Sequence, residues 1–184
     1  MINNPSVVRF GEAITELFSD NRMVILLCGP ALKMKTPGSQ LRERLKKALE
    51  DEDFEVVLGE DDGLEDVRLT VSKSYAHLNE LAFIKKECAA IVLIADSVGS
   101  FCELGLFAHE QAVNSENNRD FILLVNKDYE KDRSYFSEGP AKAIGDFGMV
   151  RYVDFATAEI TDIVSRLERR RSAYFYDGRG RPAK

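Results

Sequence analysis

Asp96 and Glu103 are the two acids whose surroundings in the chain point most directly to chemistry. Asp96 closes the apolar run Ile91-Val-Leu-Ile-Ala-Asp96, and Glu103 lies in the segment that follows, Ser97-Val-Gly99-Ser100-Phe-Cys-Glu103-Leu-Gly105. A buried strand that ends in an acid, passes a glycine turn and enters a helix sets both carboxylates at the carboxyl edge of a sheet. In open α/β sheets that edge is where ligands bind. The spacing predicts that Glu103 opens the helix, among backbone N–H groups that lack helical partners and can orient a phosphate or the carboxylate itself. Ser100-Phe-Cys-Glu103 also reads as a capping box, in which Ser100 and Glu103 bond each other's backbone N–H. A capping glutamate has no catalytic duty, and both readings stand at this level. Asp96, the intervening glycine and the Gly29-Pro30 pair at the exit of an earlier apolar run favour the functional one.

The elements that must position these residues follow from hydrophobic patterning. Val7, Phe10, Ile14, Leu17 and Phe18 predict an N-terminal amphipathic helix ending near Asp20-Asn21. Met23 to Cys28 reads as a strand broken by Gly29-Pro30, and Ser39 as the cap of a helix with Leu41, Leu45, Ala48 and Leu49 on one face. Phe54 to Leu58 is a second strand. The acidic stretch after it, with Glu60, Asp61 and Asp62, reads as a solvated turn more readily than as pocket lining. A helix through Ala76, Leu78, Leu81, Ala82 and Ile84 precedes Cys88 to Ala95, whose continuous apolar character suits a central parallel strand. A helix from Ser100 to about Val113, a strand from Phe121 to Val125, a charged loop from Asn126 to Pro140 and a strand from Val150 to Phe155 come next. The last helix carries Ile160, Ile163, Val164 and Leu167. This alternation predicts an α/β fold: a three-layer, doubly wound sheet of about five mainly parallel strands, Rossmann- or flavodoxin-like. One domain is expected over residues 1–172, with a basic C-terminal tail over 173–184.

Composition narrows the class. Of 184 residues 45% are hydrophobic, enough for a packed core. No stretch is long or apolar enough to span a bilayer, and Met1-Ile-Asn-Asn-Pro5 lacks the order of a secretion signal, so a cytoplasmic protein without membrane contact is expected. Cys28, Cys88 and Cys102 have no CxxC spacing and read as reduced, mostly buried thiols. His77 and His109 lie in no ligand-like cluster, so neither a metal nor a cofactor is expected. Net charge is −6, yet Arg166 to Lys184 is basic. Those arginines either favour the negative pole of a helix or dock a partner.

The first strand with its exit, Ile25-Leu-Leu-Cys-Gly29-Pro30, then Arg42, Phe54-Glu-Val-Val-Leu58, Ile91 to Asp96 and Gly99-Ser100-Phe-Cys-Glu103-Leu-Gly105 occur in one order. From about Met23 to Val125 the chain thereby resembles the nucleoside 2-deoxyribosyltransferase superfamily, with its Gly-Thr-x-x-Glu-x-Gly motif. It is also similar there to small TIR-like and deoxyribosyltransferase-like effectors of bacterial antiphage systems, including those beside retron reverse transcriptases. The resemblance implies cleavage or transfer at the N-glycosidic bond of a nucleoside, a nucleotide or NAD, the last as substrate. Glu103 takes the place of the carboxylate that meets the anomeric carbon, where cleavage develops oxocarbenium character. Asp96 would bind sugar hydroxyls or handle a proton. Gly29 and Pro30 would border the pocket, while Ser97, Gly99 and Ser100 would let backbone donors approach sugar or phosphate. A toxin-type defence role, a homo-oligomer, and a nucleic-acid or reverse-transcriptase partner at Arg166, Arg169, Arg170 and Arg171 are further expectations. No base-reading residue matches the family: Tyr129, Tyr135 and Phe136 stand in its place. The alternative is a non-catalytic nucleotide-sensing or scaffold module acting through oligomerisation or a partner complex.

Overall fold

Strands without polar alternation must be covered on both faces. The computed structural model, which describes residues 23–60, 75–113 and 119–176, places them accordingly. Strands β1 (Val24–Cys28), β2 (Glu55–Leu58), β3 (Ala90–Ala95), β4 (Asp120–Asn126) and β5 (Met149–Val153) form one sheet in the order β2-β1-β3-β4-β5. Every neighbouring pair in it is parallel. The helices are α1 (Pro37–Asp51), α2 (Ala76–Lys86), α3 (Val98–Val113), α4 (Lys142–Phe147) and α5 (Thr161–Tyr176). The expected doubly wound α/β architecture is therefore present. The expected N-terminal helix, Asp61, Asp62 and residues 177–184 lie outside the described residues.

Successive side chains of a strand point to opposite faces, so each apolar strand feeds two cores. On one face Ile25, Leu27, Val92, Ile94, Ile122 and Leu124 pack with Leu41, Leu45 and Leu49 of α1 and with Ile163 and Leu167 of α5. On the other, Val24, Leu26, Ile91, Leu93, Leu123 and Val125 pack with Phe83 and Ile84 of α2, Leu104 and Phe107 of α3, and Ile144 of α4. Each such side chain, fully buried, contributes about 1.5–3 kcal/mol of transfer free energy. The strand order reverses direction between β1 and β3. At that point the connections leave the sheet toward opposite faces, the arrangement beside which open α/β sheets bind ligands at their carboxyl edge.

The structure departs from the sequence reading at several boundaries. Helix α1 starts at Pro37, with Thr36 as its cap: Thr36 Oγ1 accepts from Ser39 N at 3.2 Å, so Ser39 lies inside the first turn. The stretch expected as a loop from Asn126 to Pro140 holds a single turn at Lys127–Tyr129 and a π-helical turn at Ser137–Ala141 that leads into α4. Only Ala141 and Ile144 are buried across that turn and α4, too few apolar positions to register as a period. Helix α5 continues beyond Ser172 to Tyr176.

At the amino edge, Asp120 opens β4 with its side chain 0% exposed. Arg166 of α5 grips it bidentately, Nε to Oδ2 at 2.7 Å and Nη2 to Oδ1 at 2.6 Å. Arg170 reaches the same carboxylate only at 3.8 Å. Arg171 stands 4.3 Å over the Phe54 ring and donates to the Glu52 carbonyl, and Arg169 is exposed. Among the described residues of the basic run, Arg166 and Arg171 are thus engaged in docking α5. Removing one partner of a buried pair strands the other charge, whereas loosening an exposed one costs little. Arg166→Met is expected to lower stability by about 3 kcal/mol and Arg170→Met by less than about 1 kcal/mol in urea denaturation of the full-length chain.

Candidate functional site

The carboxyl edge is built around Arg42, which sits on α1 beside the apolar stripe of Leu41, Leu45 and Leu49 and is only 1% exposed. A buried guanidinium needs all its N–H groups matched. Nε and Nη2 donate to the Leu27 carbonyl at 3.2 and 2.7 Å, and Nη1 donates to the carbonyls of Pro30 at 3.2 Å and Gly29 at 3.4 Å. Nη1 and Nη2 also donate to the two oxygens of Glu60, at 2.8 and 2.7 Å. Arg42 therefore pins the exit of β1 to Glu60, two residues past the end of β2. Gly29 makes that exit possible. Its φ is +146°, and an added methyl would stand 3.0 Å from Ile94 Cβ and 3.1 Å from the Ile94 carbonyl oxygen.

Glu103 enters from the other side of the sheet. Helix α3 begins at Val98, so Glu103 lies in its second turn and no acid occupies the first. This corrects the expectation that Glu103 opens the helix among free N–H groups. It also removes the Ser100–Glu103 capping box. The cap lies one turn earlier: Ser97 Oγ accepts from Ser100 N at 3.2 Å, while Ser100 Oγ accepts from Asp96 N at 3.0 Å and Ser97 N at 2.9 Å and donates to the Ser97 carbonyl at 2.9 Å. Relieved of capping, Glu103 turns inward, and its Oε2 is buried with no hydrogen-bond partner among the described residues. Burial raises its pKa above the usual glutamate value; the Arg42 charge opposes this, and Glu60 reinforces it.

Asp96 is half-buried at the end of β3, where its carboxylate meets the N-terminus of α1. Burial raises its pKa and an N–H bond from Gly38 lowers it. Any side chain at Gly38 would collide with that carboxylate, its Cβ standing 2.9 Å from Asp96 Cβ. Among the other residues singled out in the sequence, Gly29 and Pro30 lie at the β1 exit, where their carbonyls accept from Arg42. Ser97 and Ser100 serve the α3 cap, and Gly99 is exposed at the start of α3. Glu110, considered as a second acid at the site mouth, pairs with Lys85 at 3.0 Å.

Sequence reasoning named Arg42 only as part of the family resemblance, without a role, passed over Glu80 and favoured a solvated turn for Glu60. The available signal for Arg42 was a charged residue beside an apolar helical stripe. Glu80 on α2 is buried, and a methyl on Gly59 would stand 3.1 Å from its Oε1. Glu80 and Glu103 both bear on the buried Cys28 thiol, whose pKa burial raises well above normal, with these two charges adding to the effect. Burial pushes Cys88 up to about 11, and Cys102 is exposed. All three cysteines are free. Among the described residues no group of three or more His, Cys, Asp or Glu side chains could hold a metal ion, and no helix is long and apolar enough to cross a membrane.

An all-parallel 2-1-3-4-5 sheet with acids and a buried arginine at its switch point defines a flavodoxin-like α/β protein with a ligand-type edge. The sequence profile of the STM3845 retron effector protein family matches residues 38–176, and the chain belongs to that family. Membership of a retron effector family places the chain in bacterial defence. Among solved structures, the constitutive lysine decarboxylase of E. coli is similar at 14% identity with a TM-score of 0.50, covering 84% of this chain and 18% of that one. The likeness is one of fold, and the chain spans only that small share of the decarboxylase. No curated protein matches in sequence.

The buried Glu103 carboxylate yields a stability signature. A carboxyl whose folded pKa is raised stabilises the fold below its unfolded pKa, and that contribution is lost as pH rises through the folded value. Glu103→Gln is neutral throughout, so it is expected to raise Tm at pH 7–8 by about 2–4 °C, on the order of 1 kcal/mol for a chain of this size. The gain should vanish near pH 4, as thermal melts across pH would record.

Proposed function

We propose that this protein cleaves or transfers at the N-glycosidic bond of a nucleoside, nucleotide or NAD-like substrate as its act of defence. The observation that carries this reading is Glu103: a carboxylate oxygen buried at the carboxyl edge without a hydrogen-bond partner among the described residues, within reach of the Arg42 charge. A carboxylate held this way is poorly solvated, and its negative charge is available to an electron-poor carbon. As the C1′–N bond breaks, the electron pair leaves with the base and positive charge develops on the sugar ring. Glu103 stabilises or captures that charge, and water or an acceptor hydroxyl completes hydrolysis or transfer. Asp96, steadied by the Gly38 N–H, is placed in this reading to bind sugar hydroxyls or to pass a proton to the departing base.

The test is incubation of full-length protein with NAD and a panel of nucleosides and nucleotides, with free base followed by chromatography. Glu103→Gln is expected to lose base release by about a thousandfold or more, because the amide keeps the shape but cannot neutralise the oxocarbenium charge. Since the nucleophile must be ionised, the acid limb of the activity profile should lie above the usual glutamate range, with activity falling as pH drops through it. Ligand binding with no base released at any pH would instead favour a sensor module.

A further inference from the structure

Two bidentate Arg–carboxylate pairs brace this fold, and they are built in opposite senses. In the Arg166–Asp120 pair the anion is the hidden partner, 0% exposed, and the cation is 30% exposed. In the Arg42–Glu60 pair the cation is hidden at 1% and the anion is 46% exposed. A counter-ion sealed from water, as Asp120 is, cannot be replaced without opening the fold; one that faces solvent, as Glu60 does, can exchange with another anion. Arg42 is also fixed without Glu60. Its Nε, one N–H of Nη2 and one of Nη1 go to the carbonyls of Leu27, Pro30 and Gly29. One N–H on each terminal nitrogen remains, side by side, and the two oxygens of Glu60 take them at 2.7 and 2.8 Å. That planar fork matches a phosphoryl group as well as it matches a carboxylate.

We propose that Arg42 is a phosphoryl-binding seat at the β1 exit which Glu60 occupies as a stand-in, so that a phosphorylated nucleotide displaces Glu60 and a bare nucleoside does not. This rests on the proposed nucleoside chemistry and narrows its substrate to the phosphorylated class. Glu60 stands in a segment that leaves the sheet after β2, so its release breaks no strand pairing. Exchanging one anion for another leaves the charge around Arg42 unchanged in sign. It anchors the sugar of the incoming nucleotide at the same sheet edge as Glu103.

The experiment is calorimetric titration of the full-length protein with four nucleosides, their 5′-monophosphates and inorganic phosphate, with base release recorded in parallel. Wild type is expected to prefer the monophosphates over the nucleosides by about tenfold, since a charged, bidentate contact is gained. Glu60→Gln removes the internal competitor's charge and should tighten monophosphate binding a further five- to tenfold or so, leaving nucleoside affinity unchanged. Arg42→Lys, checked for folding by its melt, should erase the preference. Tighter binding of inorganic phosphate alone by Glu60→Gln would still support the seat. Equal affinity for nucleosides and monophosphates in both wild type and Glu60→Gln, or no binding of any phosphorylated ligand, overturns it. Base release without a phosphate preference would sink the seat and spare the glycosidic reading, and phosphate binding without base release would do the reverse.

Discussion

The carboxyl edge depends on one buried cation. Arg42 crosses from the α1 layer to the end of β1, and its contacts with the Leu27, Gly29 and Pro30 carbonyls fix where the chain turns out of the sheet. The Gly29 and Pro30 carbonyls lie beyond the end of β1 and take donors from Arg42 instead of from a neighbouring strand. The guanidinium in turn cannot be buried without an anion, which brings Glu60 from the end of β2 to the same place. One side chain thereby couples two adjacent strand ends and the first helix at the switch point of the sheet.

Charge near this switch point is deliberately uneven. Arg42 faces Glu60 directly, and Glu103 feels both of them from the opposite layer while keeping a buried oxygen without a hydrogen-bond partner among the described residues. Such an arrangement weakens the fold locally, because an under-solvated carboxylate disfavours burial, and natural proteins carry that kind of cost mainly where a site uses it. The Asp120–Arg166 pair at the opposite edge shows the ordinary alternative: a carboxylate fully enclosed, fully matched and tied to helix docking.

The α3 start illustrates how a one-turn shift redirects a side chain. With the cap at Ser97, the Ser100 hydroxyl is saturated by the residues before it, and Glu103 rotates into the layer that packs against Cys28. Had the helix begun at Ser100, the same glutamate would have bonded back to its own backbone. Both serines are good caps, so local preference alone does not choose between them. The choice is made by where β3 ends, since Asp96 must reach the N-terminus of α1, and Gly38 is the residue that leaves room for it.

Periodicity by itself determined the five strands and the helices α1, α2, α3 and α5, but not α4. Short unbroken apolar runs such as Ile91 to Ala95, rich in β-branched residues and closed by turn signals, read as strands covered on both faces, and stripes such as Leu41, Leu45 and Leu49 read as core-facing helix. It also set Asp96 and Glu103 near the carboxyl edge, because in alternating strand and helix order loops after strands fall there. What tertiary structure decided was partnership: that Arg42 is buried rather than solvated, that Glu60 meets it, that Glu80 and Glu103 share the vicinity of Cys28, and that Arg166 closes on Asp120. Those pairings join residues distant along the chain. Local pattern carries the direction in which a side chain points relative to its own element, and only the packing of one element on another determines what it finds there.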